Sequence, residues 1–184
     1  MKPETKKFIL MTLWGIMAVV LIAAIAWFVH YLLQFKTYQN SQYHFSVAYP
    51  KEWLKQEGYA GTVVAFARPK QTALSVFEPN ANITVQEVPA TTATLASFSA
   101  IIIKQMTAVF EKNIEIIEDK DFTFGNRGGR RLIIEAAKPQ QLKAVFVWVM
   151  KGSFAYIFTY MSRIDQYDAM LPTLNRMVQS FEFK

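Results

Sequence analysis

Three hydrophobic periods run along this chain. The first is continuous. From Phe8 to Leu33 no Lys, Arg, Asp or Glu interrupts the apolar residues. As a helix this stretch reaches roughly 39 Å, against about 30 Å of bilayer hydrocarbon. Only a helix satisfies the backbone of a lone span. Trp27 and Tyr31 fall near its far end, where amphipathic rings favour the interface. The pattern predicts a cytoplasmic tail over residues 1–7, a single transmembrane helix over 8–34 and one extracytoplasmic domain over 35–184.

The second period is two, the mark of strands. After a polar start at residues 37–40, Tyr43, Phe45, Val47 and Tyr49 alternate with small or polar residues until Pro50. Lys51-Glu52-Trp53 reads as a turn, and Gly58 to Gly61 as a second break. Thr62 to Phe66 is a strand closed by Pro69, residues 70–81 are turn-rich, and Asn82 to Val88 is a strand stopped by Pro89. The third period is helical. Leu95, Phe98, Ile102, Met106 and Val109 share one face of a helix over 94–112, with Thr94 as candidate N-cap and Asn113 as terminator.

Strands return with Ile114 to Ile117, continued or followed by Phe122 to Phe124. Gly125 to Gly129 reads as a turn, Arg131 to Ala136 as a strand, and Lys138-Pro139-Gln140 as its end. Lys143 to Met150 and Phe154 to Tyr160 form a hairpin around Lys151-Gly152, apolar enough to be covered on both faces. A last helix places Tyr167, Met170, Leu171, Leu174, Met177 or Val178, and Phe181 on one side. Asp165 is its candidate cap, Pro172 its kink or fresh start, and residues 181–183 a closing strand. The order predicts an α+β fold: an antiparallel β-sheet with helices on its faces, an α/β/α sandwich.

Charge orients the chain. The formal net charge is +6; without Lys2, Lys6, Lys7 and Glu4 the rest carries 17 basic against 13 acidic residues. That mild excess is not a nucleic-acid-binding charge. The three N-terminal lysines place the N-terminus in the cytoplasm by the positive-inside rule. The rival reading is a signal peptide cut after Ala26. The anchor is preferred because the apolar run continues through Trp27 and Leu33, and either reading exports the domain. The absence of Cys excludes disulfides, thiolate metal sites and a Cys nucleophile.

The stretch from Tyr43 to Trp53 resembles the opening of PsbP-like proteins, aromatic-x-Phe-x-Val-x-Tyr-Pro-x-x-Trp. Lys151 to Thr159 resembles their penultimate hairpin, and Met177 to Phe181 their closing x-x-x-Ser-Phe. The resemblance spans residues 37–184 and implies an α/β/α sandwich around an antiparallel sheet. The founding member is a non-enzymatic extrinsic subunit of photosystem II that helps retain calcium and chloride. Others of that fold act in photosystem assembly, nuclear transport or bacterial envelopes. This chain departs from the photosystem subunit in its predicted anchor, where those proteins carry transit peptides or a lipidated Cys, and in lacking a charged N-terminal docking tail. Fold alone does not carry function.

The chemical inventory is sparse. His30 lies in the apolar run near its exit, and His44 is expected to face solvent without a ligand partner. Glu118, Asp119 and Asp121 form an acidic cluster beside Lys120 that reads as a solvated surface, with no calcium-loop spacing. Ser97, Ser99, Ser153 and Ser162 have no identifiable base. Asn82-Ile83-Thr84 matches a glycosylation sequon inside a predicted strand. In Gly125 to Arg131, the residues Arg127, Arg130 and Arg131 are the candidate contact for a partner or an anionic headgroup. No catalytic, cofactor or metal residue is predicted. The expectation is a non-enzymatic membrane-anchored accessory domain, a subunit or assembly factor of a membrane protein complex. A stand-alone envelope domain that binds a small molecule or responds to stress is the alternative.

Overall fold

The computed structural model describes residues 3–73, 75, 77–89, 94–109, 114–137 and 141–184, with backbone only at 3–12, 29–32 and 109. Asn113, the end of the predicted 94–112 helix and Lys138-Pro139-Gln140 lie outside the described residues, as does the side chain of His30. The chain forms two compact units, Met1–Lys36 and Thr37–Lys184. The first is helix α1, Pro3–Leu32, thirty residues of continuous helical backbone. Its described side chains, residues 13–28, are exposed on every side, Trp14, Val19 and Trp27 among them. Those residues alone make about 24 Å of helix. Among the described residues, no helix is long and apolar enough to cross a membrane.

The second unit is an α+β fold built on a seven-stranded sheet. Its strands are β3 (Leu54–Glu57), β4 (Val64–Ala67), β5 (Asn80–Glu87), β6 (Ile114–Phe124), β7 (Arg127–Ala136), β8 (Leu142–Lys151) and β9 (Phe154–Arg163). Their order is β3-β4-β5-β9-β8-β7-β6, with every neighbouring pair antiparallel. Strands β8 and β9 sit at its centre, so their apolar residues are buried on both faces, as the sequence predicts.

Helix α2 (Leu95–Val109) covers one face. Phe98 and Ile102 pack on Phe146, Trp148 and Ile157, the residues that point to that side. The indole Nε1–H of Trp148, buried completely, donates to Ser99 Oγ at 2.9 Å, which anchors the helix to the sheet. The hydroxyl of Thr94 accepts the Ser97 N–H at 3.1 Å, the predicted N-cap.

The opposite face carries helix α3 (Ile164–Gln179) together with a second, three-stranded sheet, β1 (Phe35–Asn40), β2 (Phe45–Pro50) and β10 (Glu182–Phe183), in the order β1-β2-β10. Phe181, between α3 and β10, is the plug between these layers. Its ring stacks on Phe124 at 4.2 Å and Phe45 at 5.3 Å. Ser180 Oγ accepts the Ala48 N–H at 2.8 Å and ties the end of α3 to β2.

Several expectations change. The polar residues from Thr37 to Asn40 belong to strand β1, because Tyr38 buries its ring against Phe45 and Phe66. An unpredicted strand, β3, follows the turn at Trp53. It is short and exposed with Lys55 and Glu57 on it, a protected sheet edge whose polar sequence gives no strand signal. Residues 114–124 make one strand, its register shifted between Ile116 and Glu118. Asp165 is not the cap of α3. Arg163 holds that position with extended backbone, and Asp165 sits in the first turn, paired with Arg163 at 2.6 Å. Pro172 lies inside one unbroken helix at an exposed position, where solvent serves the carbonyl it leaves unbonded. The closing strand loses Phe181 to the core.

Gly129 is a close-approach position. A Cβ there would meet the Trp148 carbonyl of β8, whereas one at Gly128 meets nothing within 4 Å. Gly129→Ala is therefore expected to lower stability by about 1–3 kcal/mol, and Gly128→Ala to stay within about 0.5 kcal/mol of the parent. Urea midpoints measure both; equal midpoints for the two variants would contradict the packing described.

Candidate functional site

The β6–β7 hairpin joins the two charged clusters of the sequence. Its turn is only Gly125-Asn126, both at positive φ (58° and 61°), a conformation suited to glycine and asparagine. The predicted turn over 125–129 is therefore too long: Arg127, Gly128 and Gly129 are already in β7. Counting outward from the pair Phe124↔Arg127, the register sets Asp121 opposite Arg130 and Lys120 opposite Arg131. The acidic residues of β6 thus lie across from the arginines of β7.

On the α2 side, Arg130 Nε donates to Asp119 at 2.7 Å and Nη1 to Asp121 at 3.1 Å. On the α3 side, Arg131 meets Glu118 through two bonds, 2.5 and 3.0 Å, and Lys120 joins the same carboxylate at 2.8 Å. The Arg131 guanidinium also lies 4.9 Å from the Phe122 ring centre. Its hydrogen bonds hold the Glu118 carboxyl down at about 2, aided by Lys120 and opposed by partial burial. The same pairings raise Arg130 and Arg131 above the ordinary guanidinium value.

Of the three predicted contact residues, Arg130 and Arg131 are thus neutralised within the hairpin. Arg127 is exposed at its tip, with its guanidinium carbon 5.6 Å from the Phe183 ring centre. Lys151, which the sequence reading did not single out, approaches the same ring at 4.5 Å. The signal was available in the strand register. Continuing the β7–β8 pair Gly129↔Val149 by two residues sets Arg127 opposite Lys151.

Among the described residues, recesses lie on both sides of the sheet. One, about 200 Å³, lies under α3 and is lined by Arg131, Tyr167, Asn175, Val147, Leu171 and Leu174. The other, about 470 Å³ and more open, runs beside α2 along Ala96, Ala100 and Ile103 to the Asp121–Arg130 pair. His44 is exposed as expected but sits in the β1–β2 turn, its carbonyl accepting the Lys184 N–H at 2.8 Å. Ser99 Oγ is occupied by Trp148 and by the Leu95 carbonyl, and Ser162 is wholly buried. Asn82 lies within β5, paired to Thr159. Among the described residues, no group of three or more His, Asp or Glu is placed to hold a metal ion.

The family model described as PsbP matches residues 33–183. The solution structure of cyanobacterial PsbP (CyanoP) from Synechocystis sp. PCC 6803 is similar at a TM-score of 0.64 and 13% identity, over 82% of this chain and 93% of that one. LpqN, involved in cell envelope biogenesis of Mycobacterium tuberculosis, matches at 0.59 and 10% identity, over 82% and 91%. The Ran-binding protein Mog1p of Saccharomyces cerevisiae matches at 0.58 and 7% identity, over 81% and 95%. At these identities the likeness is one of fold. No curated protein matches the chain.

The depressed Glu118 carboxyl makes a pH prediction. Its folded pKa of about 2 lies below the ordinary 4.5, so its stabilisation is complete above about pH 4.5 and is lost as pH falls towards 2. Solvent access reduces it to about 1 kcal/mol. Glu118→Gln is expected to cost about that much at pH 7, and the gap to the parent to close in acid. A gap unchanged from pH 7 to pH 2.5 in urea melts would contradict the assignment.

Proposed function

The chain belongs to the PsbP family, and on that premise we propose that it is a non-enzymatic accessory protein, held on the outer face of a membrane by α1 and bound there to a membrane protein complex. The observation that carries this reading is α1 itself. Its backbone is helical over thirty residues, it contains the uncharged run from Phe8 as far as Leu32, and its described apolar side chains are exposed on all sides. A helix apolar all round suits lipid and has no use in water. Lys2, Lys6 and Lys7 before the run favour an N-terminus inside and a domain outside.

The non-enzymatic part of the reading rests on where the reactive side chains are spent. Glu118, Asp119 and Asp121 answer arginines, and Ser99 holds Trp148. None forms a nucleophile–base pair. A second reading, an envelope domain that acts alone on a small molecule, is favoured by the recess under α3, where Arg131 and Asn175 meet apolar walls. At about 200 Å³ it is smaller than ordinary ligand pockets of about 300–1,000 Å³, which ranks this reading second.

Full-length protein purified in mild detergent from crosslinked native membranes is expected to bring a stoichiometric partner that resists high salt. Recovery alone, together with a rise in melting temperature at low concentration of a screened small molecule, would overturn the accessory reading in favour of the second.

A further inference from the structure

At the end of the domain where the β6–β7 and β8–β9 turns meet β10, two cations share one aromatic ring. Arg127 and Lys151 both lie over Phe183, two residues beyond the last β7–β8 pair, Gly129↔Val149, where the same register extended would set them opposite each other. Like charges directly opposite on adjacent strands repel. On the neighbouring strands cations are answered: Arg130, Arg131, Lys143 and Arg163 each have a carboxylate between 2.5 and 2.7 Å. Among the described residues, Arg127 and Lys151 have none within 4.0 Å. The ring contributes only about 0.5–1 kcal/mol to each at such a site.

The arrangement is also rigid. Phe183 stands edge-on to Tyr156 at 4.9 Å and to Phe181 at 5.2 Å. Gly125 packs so closely on Phe181 and Phe183 that a Cβ would come within 2.9 Å of each. Beside it Tyr43 and Phe154, both half-buried, meet edge to face at 6.3 Å. Lys184 at this end is already paired with Glu182 at 3.0 Å. The result is a fixed, half-apolar surface carrying two uncompensated positive charges.

We propose that Arg127, Lys151 and Phe183 form the docking surface for an acidic segment of a protein partner, its carboxylates received by the two cations and an adjoining apolar residue covering the ring. This rests on the accessory reading and adds the surface and the chemistry of the partner. Charge complementarity selects an acidic ligand, and the count of charges selects a protein over a membrane. Anionic membranes return about 1 kcal/mol per Lys or Arg and are read by clusters of about four to eight. Two cations fall short of that. An arginine able to grip a carboxylate with two bonds, beside a fixed aromatic ring, is the composition of a protein hot spot.

The test uses the full-length chain in a neutral detergent and a labelled synthetic peptide of alternating Glu and Leu, with fluorescence anisotropy as the readout. Saturable binding is expected, weakened about tenfold or more by Arg127→Ala with Lys151→Ala, weakened also by Phe183→Leu, and unchanged by Lys104→Ala, an exposed lysine on α2. Arg127→Lys should retain part of the affinity, and melting temperatures confirm that each variant is folded. Absent peptide binding, or binding indifferent to the double substitution, would overturn the proposal. So would equal, equally sensitive binding to phosphatidylserine vesicles, which would make the surface a headgroup contact. The outcome does not depend on whether a native partner copurifies, so this surface and the accessory reading can fail separately.

Discussion

Strands β8 and β9 are apolar on both faces, and most of the domain follows from that. A sheet with a polar outer face needs one cover; this one needs two. Trp148, Phe146 and Ile157 turn to one side and are covered by α2. Val147, Tyr156 and Phe158 turn to the other, where α3, Phe181 and the three-stranded sheet close over them. Burying a tryptophan leaves an indole N–H that must be bonded, and Ser99 supplies the acceptor. The short strand β10 pairs with β2 and so draws the end of the chain under the second cover. The two covers differ because Phe181 is delivered by chain direction, between a helix and a strand, and takes in aromatic rings from β2, β6 and β9.

The same antiparallel geometry governs the electrostatics. A two-residue turn at Gly125-Asn126 puts the acidic stretch of β6 across from the basic stretch of β7, and the charges cancel in pairs. This also protects the sheet edge, since β6 is a long outer strand whose charges and register shift discourage pairing with another chain. Within the hairpin, cancellation stops at the tip. Arg127 meets no carboxylate there, and with Lys151 it lies over Phe183.

Much of this was legible from periodicity. The central hairpin, helices α2 and α3, the Thr94 cap and the strands closed by Pro50, Pro69 and Pro89 carry local signals of period, turn and capping. Strands β1 and β3 do not, because an edge or half-exposed strand is built from polar residues and Tyr38 alone turns inward. The site was partly visible. The sequence marked Arg127, Arg130 and Arg131 together, but glycines at 125, 128 and 129 read as one long turn. Gly129 is instead a strand residue kept small by the carbonyl of Trp148. With the turn shortened, the acidic cluster and two of the arginines become one structure. Lys151 was hidden because its importance lies in a cross-strand neighbour rather than in its own flanks.

In the proposed reading, the apolar residues of the chain divide between a helix suited to lipid and a protein core held on the outer face of the membrane. Protease digestion of right-side-out spheroplasts, compared with inverted membrane vesicles, tests that division most directly. The account predicts that residues 37–184 are cleaved in intact spheroplasts and protected in inverted vesicles, with an N-terminal tag showing the reverse. Protection of the domain in spheroplasts with cleavage in inverted vesicles would contradict it.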